Sequence, residues 1–168
     1  GVDLDTYFAM ARGAQGQAEH DDFGHGCDHR ALDVPAAEMT KWFDTNYHYL
    51  VPEVSPDQAF TLASTKAVDE FVEAKAQGIV TRPVLLGPVT FLKLAKSKAE
   101  GFDPRSRVGD LVDVYAKVLN KLEQAGATWV QIDEPCLVLD LDEADRAALH
   151  EAYRLLARTA PGVKLMLT

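Results

Sequence analysis

The 168 residues carry 26 acidic against 17 basic side chains, a formal net charge of -9 at pH 7, and 47% of them are hydrophobic. That balance suits a globular chain and excludes a sequence-independent grip on nucleic acid or on an anionic membrane, both of which need a basic surface. No apolar run approaches the roughly 20 residues of a membrane span, and Cys27 and Cys136 are too far apart for a CxxC motif or a disulfide scaffold, which fits a reducing, cytoplasmic setting. With 8 Pro and 11 Gly, no low-complexity tract and no internal repeat, residues 1–168 read as one domain. The chain starts at Gly1 without a Met and stops after the apolar run Val163 to Leu167, so it reads as an internal piece of something longer.

In chain order, Leu4, Tyr7, Phe8 and Ala11 fall on one face of a helix over residues 3–12. From Gly13 to Asp33 the apolar period stops among Gly, Asp, His and Gln, which predicts a mobile surface loop inserted over residues 13–33. Tyr47 to Val51 is rich in β-formers and ends before Pro52, as a buried strand would. Ser64 is a candidate N-cap for a helix with Val68, Phe71, Val72 and Lys75 on one stripe, closed by Gly78. Pro83 to Leu86 reads as a short parallel strand covered on both faces and stopped by Gly87-Pro88, followed by a short helix near Thr90 to Lys98.

Asp103-Pro104 marks the start of the longest helix, on which Val108, Leu111, Val112, Tyr115, Val118, Leu119 and Leu122 keep helical spacing up to Gly126. Thr128 to Ile132 is then a strand ending in Asp133-Glu134-Pro135. Asp142 caps a helix with the stripe Leu149, Ala152, Tyr153 and Leu156, and a final strand starts at Val163. Strands alternating with helices predict right-handed βαβ units, a parallel sheet and the α/β class. A full (βα)8 barrel takes about 250 residues, so the chain reads as part of such a barrel or as a small open sheet.

Ligands of parallel α/β folds bind where strands end, which singles out Gly87-Pro88 and Asp133-Glu134-Pro135. Asp133 and Glu134 suit an acid, a base or a hydrogen-bond acceptor; they equally suit a backbone cap or an ion pair within the fold. The stretch Glu38 to Tyr49 crowds cation, amide, hydroxyl and aromatic groups beside a strand. Lys41 suits a carboxylate or phosphate and Asn46 offers donor and acceptor, whereas residue statistics make Lys41 solvated and Trp42, Phe43, Tyr47 and Tyr49 core. His48, flanked by aromatics, reads as a hydrogen-bonded core histidine. The cluster His20, Asp21, Asp22, His25, Cys27, Asp28 and His29 has metal-ligand chemistry but no metal-site spacing, and reads as a solvated insertion with no metal. Phosphate-loop, nucleophile-elbow and HExxH motifs do not occur.

The run Glu38-Met39-Thr40-Lys41-Trp42-Phe43-Asp44-Thr45-Asn46-Tyr47-His48-Tyr49-Leu50-Val51-Pro52-Glu53 resembles the N-terminal domain of the cobalamin-independent methionine synthases. So do Tyr7 to Gly13, Pro83 to Thr90 and Trp129 to Pro135, in the same order and over nearly the whole chain. The resemblance implies a parent of two (βα)8 barrels that moves a methyl group from methyltetrahydropteroyl-triglutamate to homocysteine. It implies zinc and homocysteine on an absent C-terminal domain, no cobalamin, and a folate-tail site to which the N-terminal barrel contributes. Within that resemblance Lys41 and Asn46 are the folate-tail contacts, this segment carries no catalytic residue and is inactive alone, and His20, His25, Cys27 and His29 inherit no role. The competing readings are a stand-alone, non-catalytic folate-binding module and an unrelated barrel enzyme using Asp133 and Glu134.

Overall fold

The computed structural model describes residues 4–13 and 35–168, and the chain divides into two compact units, Gly1–Glu53 and Val54–Thr168. Apart from Gly13, the loop expected over 13–33 and its cluster from His20 to His29 lie outside the described residues.

In the first unit, helix α1 (Leu4–Arg12) closes at Gly13, whose φ of +76° is left-handed and whose N–H donates to the Ala9 carbonyl at 2.7 Å. Strand β1 (Met39–Lys41) pairs antiparallel with β2 (His48–Leu50) in the register Met39 to Leu50, Thr40 to Tyr49 and Lys41 to His48. The strand expected at Tyr47 to Val51 is therefore present but shorter. It lies in a two-stranded hairpin, and His48 at its start is exposed. The reason is local. Met39-Thr40-Lys41 is too short to show an alternation, and the connection lacks the Asn-Gly type of signal that announces a hairpin. It turns instead through Phe43 at φ +49°.

The second unit is a three-stranded parallel sheet in the order β3 (Val84–Leu86), β4 (Trp129–Asp133), β5 (Lys164–Leu167), the α/β class expected from the alternation. Helix α2 (Lys66–Ala76) precedes it, with Thr65 as N-cap rather than Ser64. Ser64 still takes one free amide, since its hydroxyl accepts the Lys66 N–H at 3.2 Å. Gly78, at φ +78°, ends the segment as expected. Helix α3 (Pro88–Leu94) starts at the proline after β3, and both its ends come earlier than the expected Thr90 to Lys98. A 3-10 turn at Pro104–Arg107 opens into α4 (Val108–Ala125), whose last turn is closed by Gly126 at φ +95°. Helix α5 (Glu143–Leu156) is capped by Asp142.

Parallel neighbours in register face the same way, so Leu85, Val130, Ile132 and Leu165 share one face of the sheet, while Val84, Leu86, Trp129, Gln131, Asp133 and Met166 share the other. The first face is the core: Val130 and Ile132 are fully buried with Leu119 and Leu122 of α4 and Leu156 of α5. The second is open, with Val84 53% and Trp129 41% exposed. The expectation that β3 would be covered on both faces is therefore corrected. Among the described residues the helices supply cover on one face only, and the apolar side chains of the other face meet solvent.

Candidate functional site

The carboxyl ends of the three strands bring Gly87-Pro88, Asp133-Glu134-Pro135 and Thr168 together. The Gly87 N–H donates to the Asp133 carbonyl at 2.7 Å, and the Glu134 N–H donates to the Thr168 carbonyl at 2.7 Å. Alternation along β4 sends the two acidic side chains in opposite directions. Asp133 belongs to the open face and is half-buried, accepting from Gln131 Nε2 at 2.7 Å and from the Thr168 hydroxyl. Those two hydrogen bonds, Thr168 first, hold its carboxyl below the usual range against the opposing effect of burial.

Glu134 turns inward and is fully buried. It accepts the Val89 N–H at 3.1 Å, the Thr90 N–H at 2.7 Å and the Tyr153 hydroxyl at 2.8 Å, with the Cys136 Sγ at 3.8 Å. The two amides belong to the first turn of α3, where N–H groups have no partner within the helix and attract negative charge. Gly87, the N-cap, offers no side chain to do this. A Cβ there would stand 2.0 Å from the Glu134 Cδ, so the carboxylate from β4 occupies the place of a capping side chain. Thr90 returns the link, since its hydroxyl accepts the Cys136 N–H at 3.2 Å. Burial first, and then the Glu134 charge, pushes the Tyr153 phenol far above its usual value, so it stays a protonated donor. Glu134 thereby anchors the loop after β3 to the loop after β4, and Asp133 is the acidic side chain left facing the open side of the sheet.

A second polar cluster lies at the start of α5, and sequence reasoning missed most of it. Asp142 accepts the Asp145 N–H at 2.7 Å and Asp145 reaches back to the Asp142 N–H at 3.1 Å, a reciprocal capping box. Asp145, fully buried, also receives Lys93 and, at 2.7 Å, Arg105, while Arg105 bonds Asp103 at 2.7 Å and Asp142 at 2.9 Å. The Asp-x-x-Asp spacing at 142–145 was the available signal, but an aspartate on the core stripe reads as exposed until its cations are known.

The cluster has a pH consequence. The Asp145 backbone amide and then Arg105 lower the Asp142 carboxyl to about 2, against about 3.9 in an unfolded chain. A depressed carboxylate stabilises the fold above its unfolded pKa, and that contribution is lost as pH falls through the folded one. The expected result is a melting temperature that declines between about pH 4 and pH 2, with a shallower decline in Asp142→Asn. Identical acid limbs for both proteins would remove Asp142 from the account.

The hairpin presents the remaining candidates. Lys41 is the last residue of β1 and Asn46 sits in the connection, and both are exposed. The turn between them is internally braced: the Trp42 N–H donates to the Tyr47 carbonyl at 2.7 Å, while Thr45 Oγ1 donates to the Trp42 carbonyl at 2.5 Å and accepts the Tyr47 N–H at 3.2 Å. On the opposite side of the hairpin from Lys41, the Trp42 ring meets Tyr49 edge-on at 5.2 Å and Phe43 at 4.9 Å. Trp42, Phe43 and Tyr49 are half-buried, whereas Tyr47, expected in the core, is 74% exposed. Lys41 and Asn46 are thus held out by a braced turn with an aromatic backing, an arrangement able to receive an acidic ligand. Among the described residues no three His, Cys, Asp or Glu side chains group as metal ligands.

Comparison with known proteins gives this arrangement its context. The family model described as cobalamin-independent synthase, N-terminal domain, matches residues 1–168. A 5-methyltetrahydropteroyltriglutamate–homocysteine methyltransferase of Caulobacter vibrioides is 66% identical over 169 residues, covering 99% of this chain and 22% of the relative. Proteins of the same name from Nitrobacter winogradskyi and Mesorhizobium japonicum are each 60% identical, over 99% and 98% of this chain and 22% and 21% of their own lengths. The chain therefore spans about a fifth of the length of the curated relatives it matches. Matched from end to end, it belongs to the cobalamin-independent methionine synthase family, within the N-terminal domain.

Proposed function

We propose that these residues are part of a methyltransferase that moves the methyl group of 5-methyltetrahydropteroyltriglutamate to homocysteine, giving methionine, and that this part binds the glutamate tail of the folate through Lys41 and Asn46. The observation that carries the reading is the 66% identity to a methyltransferase of that name. The local geometry supports it. An ammonium and an amide stand exposed at a braced turn, and a net charge of -9 means that an acidic tail needs local donors of this kind. The parallel sheet, covered by helices on one face and open on the other, is read as an arc of a (βα)8 barrel whose open face is the barrel interior, in a cytoplasmic enzyme.

Zinc, which lowers the pKa of a bound thiol such as that of homocysteine, is assigned to the part of the enzyme beyond this chain. What this chain contributes is binding: Lys41 supplies a charge-assisted hydrogen bond to a tail carboxylate, Asn46 a second donor, and the Thr45 brace keeps both from rearranging. Such charged contacts contribute about 1.5 to 3 kcal/mol each, which is about 10- to 150-fold in affinity. Lys41→Ala in the complete methyltransferase is therefore expected to raise KM for the triglutamate folate by that factor while leaving the monoglutamate form nearly unchanged. Equal weakening of the two forms would sink the assignment.

A further inference from the structure

We propose that His48 is a second specificity-determining residue for the acidic tail, donating to the same carboxylate region as Lys41. The inference rests on the reading that Lys41 meets that tail. In sequence, His48 looked like a core histidine between two tyrosines. In the structure it is exposed, and it is the cross-strand partner of Lys41.

The ladder shows how close that pairing is. The Trp42 N–H donates to the Tyr47 carbonyl and the Val51 N–H to the Glu38 carbonyl, so 42 with 47 and 38 with 51 are hydrogen-bonded pairs. Bonded and non-bonded pairs alternate along an antiparallel ladder, which makes Lys41 with His48 a non-bonded pair, the kind whose Cα atoms stand about 4.5 Å apart and whose side chains lie closest. Both side chains leave the same face of the hairpin, opposite the face on which Trp42 meets Tyr49.

A lysine directly across from a second potential cation is an unfavourable pairing for a bare hairpin. No described carboxylate forms an ion pair with Lys41, and the Glu53 carboxylate accepts the Glu38 N–H at 3.3 Å at the far end of the ladder. An anionic group placed between the ammonium and the imidazole turns that unfavourable pairing into a two-donor clamp. The imidazole has a donor to give in either state, one N–H when neutral and two when protonated. Asn46, two residues before His48, adds its amide at the turn. The chemistry selected is a flexible chain carrying carboxylates.

The test uses the complete methyltransferase and compares KM and kcat for triglutamate and monoglutamate methyl-folates in Lys41→Ala, His48→Leu and His48→Gln. His48→Leu is expected to raise KM for the triglutamate form about tenfold, with kcat and the monoglutamate KM unchanged. His48→Gln, which keeps an N–H donor, is expected to retain most of the triglutamate preference. A full triglutamate preference in His48→Leu, alongside its loss in Lys41→Ala, would overturn the role of His48 and leave the tail site standing. No change in either variant would overturn both. A His48→Gln as impaired as His48→Leu would show that the position matters for shape and that donation is not the reason.

Discussion

Glu134→Ala is expected to destabilise the fold by about 3 to 5 kcal/mol, because it orphans two buried amides and the half-buried Tyr153 hydroxyl and opens a cavity at once. The Val89 and Thr90 amides and the Tyr153 hydroxyl all end on this fully buried carboxylate. At about 2 to 4 °C per kcal/mol for a chain of this size, the melting temperature should fall by about 10 °C. A denaturant midpoint within error of the parent would show that the loops after β3 and β4 hold together without the anchor.

A paired control isolates the mechanism. Gly87→Ala should be costly in the parent, where its Cβ would stand 2.0 Å from the Glu134 Cδ. It should add little in the Glu134→Ala background, where the obstructing carboxylate is gone. That non-additivity is the signature of two residues sharing one space. If the costs simply add, the glycine is required for some reason other than the carboxylate.

Asp145→Ala carries the second large effect, about 3 kcal/mol. It removes one half of the capping box and strands the Lys93 ammonium, which pairs with Asp145 among the described residues. Arg105 keeps Asp103 and Asp142, so the loss concentrates on Lys93 and on the start of α5. Asp142→Ala, by contrast, removes an exposed, solvent-screened carboxylate and should cost clearly less. Comparison of the two by urea titration decides the matter: equal costs would mean that burial of Asp145 contributes nothing beyond its cap.

The elements legible in sequence are those whose physics is local. The α4 stripe from Val108 to Leu122 repeats at helical spacing, and Gly126 supplies the left-handed residue that ends it. Asp142 announces α5 because its side chain and the amide it caps are three residues apart. The alternation of such segments with short apolar runs was enough for a parallel sheet, since βαβ connections allow few alternatives; the order β3-β4-β5 came from the structure. The motif around Lys41 and Asn46 carried the family because a dense, non-periodic run of this kind is rare by chance.

What composition and spacing could not supply were contacts between residues far apart in the chain. Asp133 and Glu134 were equivalent on paper, yet β4 sends one to the open face and the other under α3, 44 residues back along the chain at Thr90. Asp145 became a core residue only because Lys93, 52 positions away, and Arg105, 40 positions away, arrive to neutralise it. His48 lies at the surface, beside Lys41, on the face of the unforeseen hairpin opposite the Trp42–Tyr49 contact. Sequence by itself determined the main helices, the parallel sheet and the family, all of which rest on short-range periodicity or on an unbroken motif. Tertiary structure alone decided which acids are anchors and which side chains are presented, because the cost of burying a charge is set by the partners that the fold brings to it.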